Sequence, residues 1–240
     1  MLGKLIFILT SIIFIFYSNS TLASECDIDL AIDYYLAEDY EGAVRESQPC
    51  ADEGYPGAQY ILGEYYFFEM EDYPNAFKWF DQAAKQDDPD SLYFVGLMYE
   101  KGLFVKENHN TAIEYYKMSA DEGDADAKYR IGYLYSTAGW GSSLKRDYKI
   151  SEKWYKEAAD EGHAAAAWNL HVTYFNGWLN GDANKWLQIA ADLGHEEAIS
   201  ELEAAQSEDD IMNKLQNFID KNSVCKKQMT MKFTLFPPLI

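Results

Sequence analysis

Between Cys50 and Cys225 the 240-residue chain has no cysteine, and with Cys26 these are its entire supply. A disulfide framework is therefore excluded, and an oxidising compartment would leave one pair and one spare thiol. Basic residues are scarce as well. The formal net charge is −20, and from Ser24 to Glu71 a single base, Arg45, stands against thirteen acids. Nucleic acids and anionic membranes are held by basic surface that releases counterions, so neither is an expected partner. A basic protein partner suits the acidic N-terminal half. Recognisable catalytic sets are missing too. Ser142-Ser-Leu-Lys145 and Ser223-Val-Cys-Lys226 fit S-x-x-K, but the K-T-G partner motif of penicillin-recognising enzymes is absent. The acidic runs lack the D-x-D-x-D-G spacing of a calcium loop. His163 and His171 lie eight residues apart, about 12 Å along a helix, too far to share a metal. No catalytic residue, metal site or cofactor is expected.

At the N-terminus Lys4 precedes a largely apolar twelve-residue run, Leu5 to Phe16, and the polar stretch after it ends Thr21-Leu22-Ala23. The run is short for crossing about 30 Å of hydrocarbon. Residues 1–23 read as a secretory signal peptide cleaved after Ala23, with no membrane insertion afterwards. Glu25 before Cys26 argues against a lipoprotein. The expected location is the periplasm or a secreted space, and the mature chain would carry a net charge of −21, since the leader holds one lysine and no acid. Cys26 opens one expected helix and Cys50 lies near the end of the next. An antiparallel pair brings them together, so Cys26–Cys50 is the expected bridge, with Cys225 left over.

The chain repeats itself. Four phrases match one another: AQYILGEYY from Ala58, SLYFVGLMY from Ser91, AKYRIGYLY from Ala127 and AWNLHVTY from Ala166. Their starts are spaced 33, 36 and 39 residues apart, and AISEL follows at Ala198. Each is followed by a second phrase: AFKWFDQAAKQD, AIEYYKMSADEG, SEKWYKEAADEG and ANKWLQIAADLG. A period in the thirties with two helical phrases per unit marks a solenoid of helical hairpins. Ala127, Ile131, Gly132 and Tyr135 share one face of the first helix. Glycine there costs about 1 kcal/mol against alanine, which is sensible where the second helix crosses close by with no side chain between. A terminal glycine such as Gly162 lets the chain turn.

The pattern A-x-x-x-L-G-x-x-Y-x-x-G followed by A-x-x-W-Y-x-x-A-A-x-x-G resembles the Sel-one-like repeat, a branch of the tetratricopeptide-like α-solenoids. The resemblance implies an all-α fold, a right-handed superhelix of antiparallel hairpins. The expected organisation is a signal peptide at 1–23, a degenerate hairpin at 24–57, four repeats at 58–197, capping helices at 198–221 and a basic, apolar tail at 222–240. Three places depart from the pattern. Asp87 stands for a terminal glycine, the loops after Tyr66 and Gly177 are short, and His171 replaces a packing glycine, which predicts a splayed last hairpin.

Opposite the packing stripe, the places three before the glycine and one and four after it hold Tyr60, Glu64 and Phe67, then Tyr93, Leu97 and Glu100. The later repeats place Tyr129, Tyr133 and Ser136, then Trp168, Val172 and Phe175. In the resembling family this side lines the concave groove. Tyrosine and tryptophan supply large contact area at low rotamer cost, so this face either fills the inner curve or meets a partner. The candidate partner-binding residues are Tyr60, Phe67, Phe68, Tyr93, Tyr129, Tyr133, Trp168 and Phe175, with Trp140 in the loop between Ser136 and Arg146. The expected function is protein binding. The partner would be a basic effector neutralised as an immunity protein would, or an envelope component for which this chain is an adaptor; weak envelope hydrolysis ranks third.

Overall fold

Aspartate starts six of the described helices. The computed structural model describes residues 26–139, 144–207 and 211–217. Within them Asp27, Asp39, Asp72, Asp88, Asp124 and Asp182 each accept a hydrogen bond from the backbone N–H two or three residues on. A carboxylate there satisfies an orphan donor and meets the positive end of the helix dipole. Part of the acid excess is thus structural. Proline at the first helical position of two helices, Pro56 and Pro89, fixes the entry dihedral where no N–H is needed.

The chain divides into two compact units, 1–147 and 148–240. In the first lie α1 (Ile28–Leu36), α2 (Tyr40–Asp52), α3 (Pro56–Glu64), α4 (Tyr73–Ala84), α5 (Pro89–Lys101), α6 (His109–Asp121) and α7 (Ala125–Thr137). A π-helical turn, Tyr65–Glu69, continues α3. The second holds α8 (Tyr148–Asp160), α9 (Ala164–Phe175) and α10 (Ala183–Asp192), then α11 over 196–207 and α12 over 211–217. Within each unit consecutive helices pack on one another, and no strand occurs among the described residues. The fold is all-α, built of consecutive helical pairs. No helix among the described residues is long and apolar enough to cross a membrane. The expected leader, Cys225 and the tail from 222 lie outside the described residues. The expected last capping helix is described only over 211–217.

Cys26 and Cys50 are joined by a disulfide, with 4.7 Å between their Cα atoms. It ties the start of α1 to the end of α2 beside Ala51, Ala58, Leu62 and Trp79. Closing this 24-residue separation contributes about 3 kcal/mol in the chain-entropy account.

The packing glycines hold rings. A Cβ on Gly63 would stand 2.5 Å from the Phe80 ring, and one on Gly96 would stand 2.9 Å from the Tyr116 ring and 3.2 Å from the Ala112 carbonyl oxygen. The second helix does come close, but the space is filled by its aromatic side chain, contrary to the expectation of nothing between. Leu92, Val95 and Met98 complete this core with Phe80 and Phe94. At the end of α4, Asp87 takes φ 61°, the left-handed conformation that Gly123, Gly162 and Gly194 take at the ends of α6, α8 and α10. The turn geometry is therefore kept without glycine, because aspartate tolerates this region better than most residues.

The last hairpin is not splayed. His171 is buried, and its Nδ1 donates to the Ala183 carbonyl oxygen across the hairpin at 3.0 Å. Tyr174 of α9 covers Gly181, just before α10, so closely that a Cβ there would overlap its ring.

Candidate functional site

The first-helix face of the N-terminal unit is partly consumed by packing. Tyr60 lies 6.1 Å from Phe80 and 6.0 Å from Phe94, ring centre to ring centre. Phe80 and Phe94 stack at 4.6 Å. Phe67 touches Tyr73, Phe80 and Phe94, and Tyr93 touches Phe94 and Tyr116. Burial raises the pKa of Tyr60 and Tyr93, in Tyr60 reinforced by a hydrogen bond to the Glu64 carboxylate.

Glu100, placed by its register on the same face, is almost fully buried. Its Oε2 accepts from Tyr116 Oη at 2.9 Å and Arg130 Nε at 3.0 Å, and Arg130 Nη2 donates to Oε1. Burial alone would raise the carboxyl pKa, but the bonds and charge of Arg130, with help from Lys101 and Tyr116, hold it below its usual value. This triad ties α5, α6 and α7 together. Beyond it the guanidinium of Arg130 lies 5.3 Å from the centre of the Tyr133 ring, which Tyr129 also meets at 6.2 Å. Tyr133 remains exposed.

The π-helical turn re-aims the end of α3. Met70 N–H bonds back to the Tyr65 carbonyl at 3.2 Å, and the extra residue turns Phe67 inward while Phe68 stays 58 % exposed. Phe68 then stands at the mouth of a cleft of about 340 Å³ between α1, α2, α3 and this turn. Tyr35, Tyr40 and Tyr65 form the remaining aromatic wall, and Glu64 and Glu69 bring two carboxylates. Tyr35 Oη donates to Glu64 Oε2. Burial and the Glu64 bond and charge raise the Tyr35 pKa, so the phenol keeps its proton and stays a donor.

In the C-terminal unit Trp168 is stacked between two imidazoles, His171 at 5.2 Å and His195 at 5.1 Å. Phe175 lies 5.5 Å from His171 and is 70 % exposed. His163 caps α9 by accepting from Ala166 N–H. His195 thus reaches Trp168 of α9 from the turn after α10, and both it and His163 follow a terminal glycine. No group of three histidine, cysteine or acidic side chains among the described residues is placed to hold a metal ion. Trp140 and both S-x-x-K serines lie outside the described residues.

The Sel1 repeat pattern matches residues 56–88, 89–124, 125–163 and 181–195, just over half of the chain. The chain belongs to the Sel1 repeat family. Among solved structures, a Sel1 repeat protein from Oxalobacter formigenes is 27 % identical with a TM-score of 0.64, over 72 % of each chain. A protective antigen present in uropathogenic Escherichia coli strains, displaying an SLR fold, matches at 27 % identity and TM-score 0.64, over 71 % of this chain and 38 % of that one. A sel1 repeat protein from Klebsiella pneumoniae shares the fold at 17 % identity and TM-score 0.54, over 77 % of this chain and 96 % of that one. By sequence, no curated protein matches the chain significantly. A Sel1 solenoid points to protein–protein interaction as the general role.

In the fourth Sel1 unit only the second phrase is matched, 181–195, which leaves out the helix bearing His171. Sequence reasoning missed Tyr35, Tyr40, Tyr65 and Glu69, which converge only once the degenerate hairpin meets the first repeat. One signal was present: YYFFEME at 65–71 has four consecutive aromatics, more than one face of a regular helix can bury.

Proposed function

We propose that this Sel1 protein is exported and binds a protein partner through the aromatic face of its first helices, as an inhibitor of a basic effector in the periplasm. The observation that carries the reading is that Phe68 and Tyr133 in the first unit and Phe175 in the second stay exposed, while other rings of the first helices are packed. Large exposed aromatics on a rigid scaffold are the residue type that anchors interfaces. The net charge of −20 favours a basic partner by steering encounter. An adaptor role in an envelope assembly is less well supported, since its main feature, the lysine-bearing tail, lies outside the described residues.

Affinity capture from envelope extract, with the full chain and with a chain carrying Phe68→Ala, Tyr133→Ala and Phe175→Ala, tests this. The expected result is one basic partner whose activity falls on binding and whose capture drops at least about thirtyfold with the altered bait, as loss of even one hot spot implies. Equal capture by both baits would remove the face from the reading. Several partners with unchanged activity would favour the adaptor.

A further inference from the structure

The cleft beside Phe68 combines features that no single helix face supplies. Its wall carries the rings of Tyr35, Tyr40, Tyr65 and Phe68, and Glu64 and Glu69 lie among them. None of the residues lining it is basic. Around it the segment from Ser24 to Glu71 has one base, Arg45, and that base is engaged by Glu46 at 2.9 Å with its guanidinium 5.5 Å from the centre of the Tyr34 ring. Two carboxylates among aromatic faces attract a cation on two counts: the ring quadrupoles and the net charge act in the same direction. The Tyr35 phenol donates to Glu64 Oε2 and fixes the carboxylate's orientation, and the opposite oxygen keeps lone pairs for a further donor. A volume of about 340 Å³ admits one long side chain and excludes a folded element. The π-helical turn belongs to the same design, since it takes Phe68 out of the core and sets it at the mouth.

We infer that this cleft is a pocket for a basic side chain, arginine above all, presented by an extended segment of the protein partner. Arginine is favoured over lysine because its planar guanidinium stacks on rings while its fork of N–H groups bonds carboxylates. The inference rests on the reading of this molecule as a protein-binding Sel1 solenoid and gives one subsite its chemistry. The disulfide bears on it directly, because Cys26–Cys50 holds together the two helices that carry Tyr35 and Tyr40.

The test is a calorimetric titration of the full chain with acetyl-Gly-Arg-Gly-amide, and with the same peptide carrying citrulline or glutamate in place of arginine. Citrulline keeps the shape and removes the charge. The expected result is binding of the arginine peptide at least about tenfold tighter than of the citrulline one, weakened by added salt and lost about tenfold in Glu64→Gln/Glu69→Gln. Glu69→Lys, at an exposed position, is expected to abolish it and keeps the test open should the double variant fold poorly. Equal affinity for arginine and citrulline, or binding indifferent to Glu69→Lys, overturns the inference. So does tighter binding when Lys226, Lys227 and Lys232 are changed to glutamine, which would assign the cleft to this chain's own tail. A partner captured through Tyr133 and Phe175 while the arginine peptide fails to bind would sink the pocket and leave the general function standing.

Discussion

The first two repeats and the last hairpin join helices with the same residue types used in opposite places. In the first two Sel1 repeats the first helix supplies a glycine and the second a ring, Gly63 under Phe80 and Gly96 under Tyr116. In the C-terminal unit the first helix supplies the rings, His171 and Tyr174, and the approach to the second supplies Gly181. The place held by Phe80 and Tyr116 in their phrases is held there by Leu187, which is buried. A gain of volume on one helix is matched by a loss on the other, as a close-packed interior requires. A second contrast runs parallel. Each unit has a glutamate shared by a base and a tyrosine, Glu100 with Arg130 and Tyr116, and Glu152 with Lys156 and Tyr174. The first triad is buried and links three helices; the second is half in water. The same chemistry therefore carries different weight according to depth.

Depth gives the largest expected effect. Arg130→Ala strands the Glu100 carboxylate in the interior and should lower unfolding free energy by about 3–5 kcal/mol near pH 7. Lys156→Ala should cost under about 1 kcal/mol, because solvent screens that pair. Chemical denaturation of the two variants checks the ranking. The sign of the pH dependence follows from Glu100, whose folded pKa lies below its ordinary value of 4.5. A depressed carboxyl stabilises fully above its unfolded value, so this contribution fades as pH falls from 4.5 through the lower folded one. In Arg130→Ala the buried carboxyl loses its cation and its pKa rises instead. The gap between variant and native protein should accordingly narrow as pH drops below about 5. A gap that widens there would contradict the assignment.

Next in size is the exchange of glycine and ring. His171→Gly removes a hydrogen bond worth about 1 kcal/mol and adds about 1 kcal/mol of helix cost, and the space left behind brings the total to about 3 kcal/mol. If the two solutions are interchangeable, Leu187→Tyr in the same chain should restore about 1 kcal/mol or more, although it destabilises the native protein by overpacking. A full double-mutant cycle measures that coupling, and additivity would mean that the last hairpin is not the mirror of the others.

These particulars also show what the amino-acid order reveals. The hairpins are legible because each Sel1 unit solves one packing problem and the same letters return every 33 to 39 residues. Tyr133 and Phe175 are legible from the register of their own first helices, but which rings are consumed by packing is not. That depends on neighbours one repeat away: Phe94 draws in Tyr60 and Phe67, and Arg130 draws in Glu100. The cleft is hidden for the same reason. Its walls come from three helices and a π-helical turn, and the turn shifts register by one residue in a way no period predicts.

The smallest expected effect concerns the helix ends, where the units differ by one residue type. In the C-terminal unit the left-handed terminal places are glycines, Gly162 and Gly194, whereas the first repeat of the N-terminal unit uses Asp87 at φ 61°. A side chain in that conformation costs more than glycine does, even for aspartate, and the turn after α4 is closed by the Asp88 N–H bond to the Ala83 carbonyl at 3.3 Å. Asp87→Gly should therefore raise stability by about 0.5 kcal/mol, less than the full strain because glycine also gains freedom in the unfolded chain. The reverse change, Gly162→Asp, should lower it by a similar amount. Paired thermal melts of the two variants check both signs, and a loss in Asp87→Gly would show that the aspartate side chain contributes more at that turn than its backbone conformation costs.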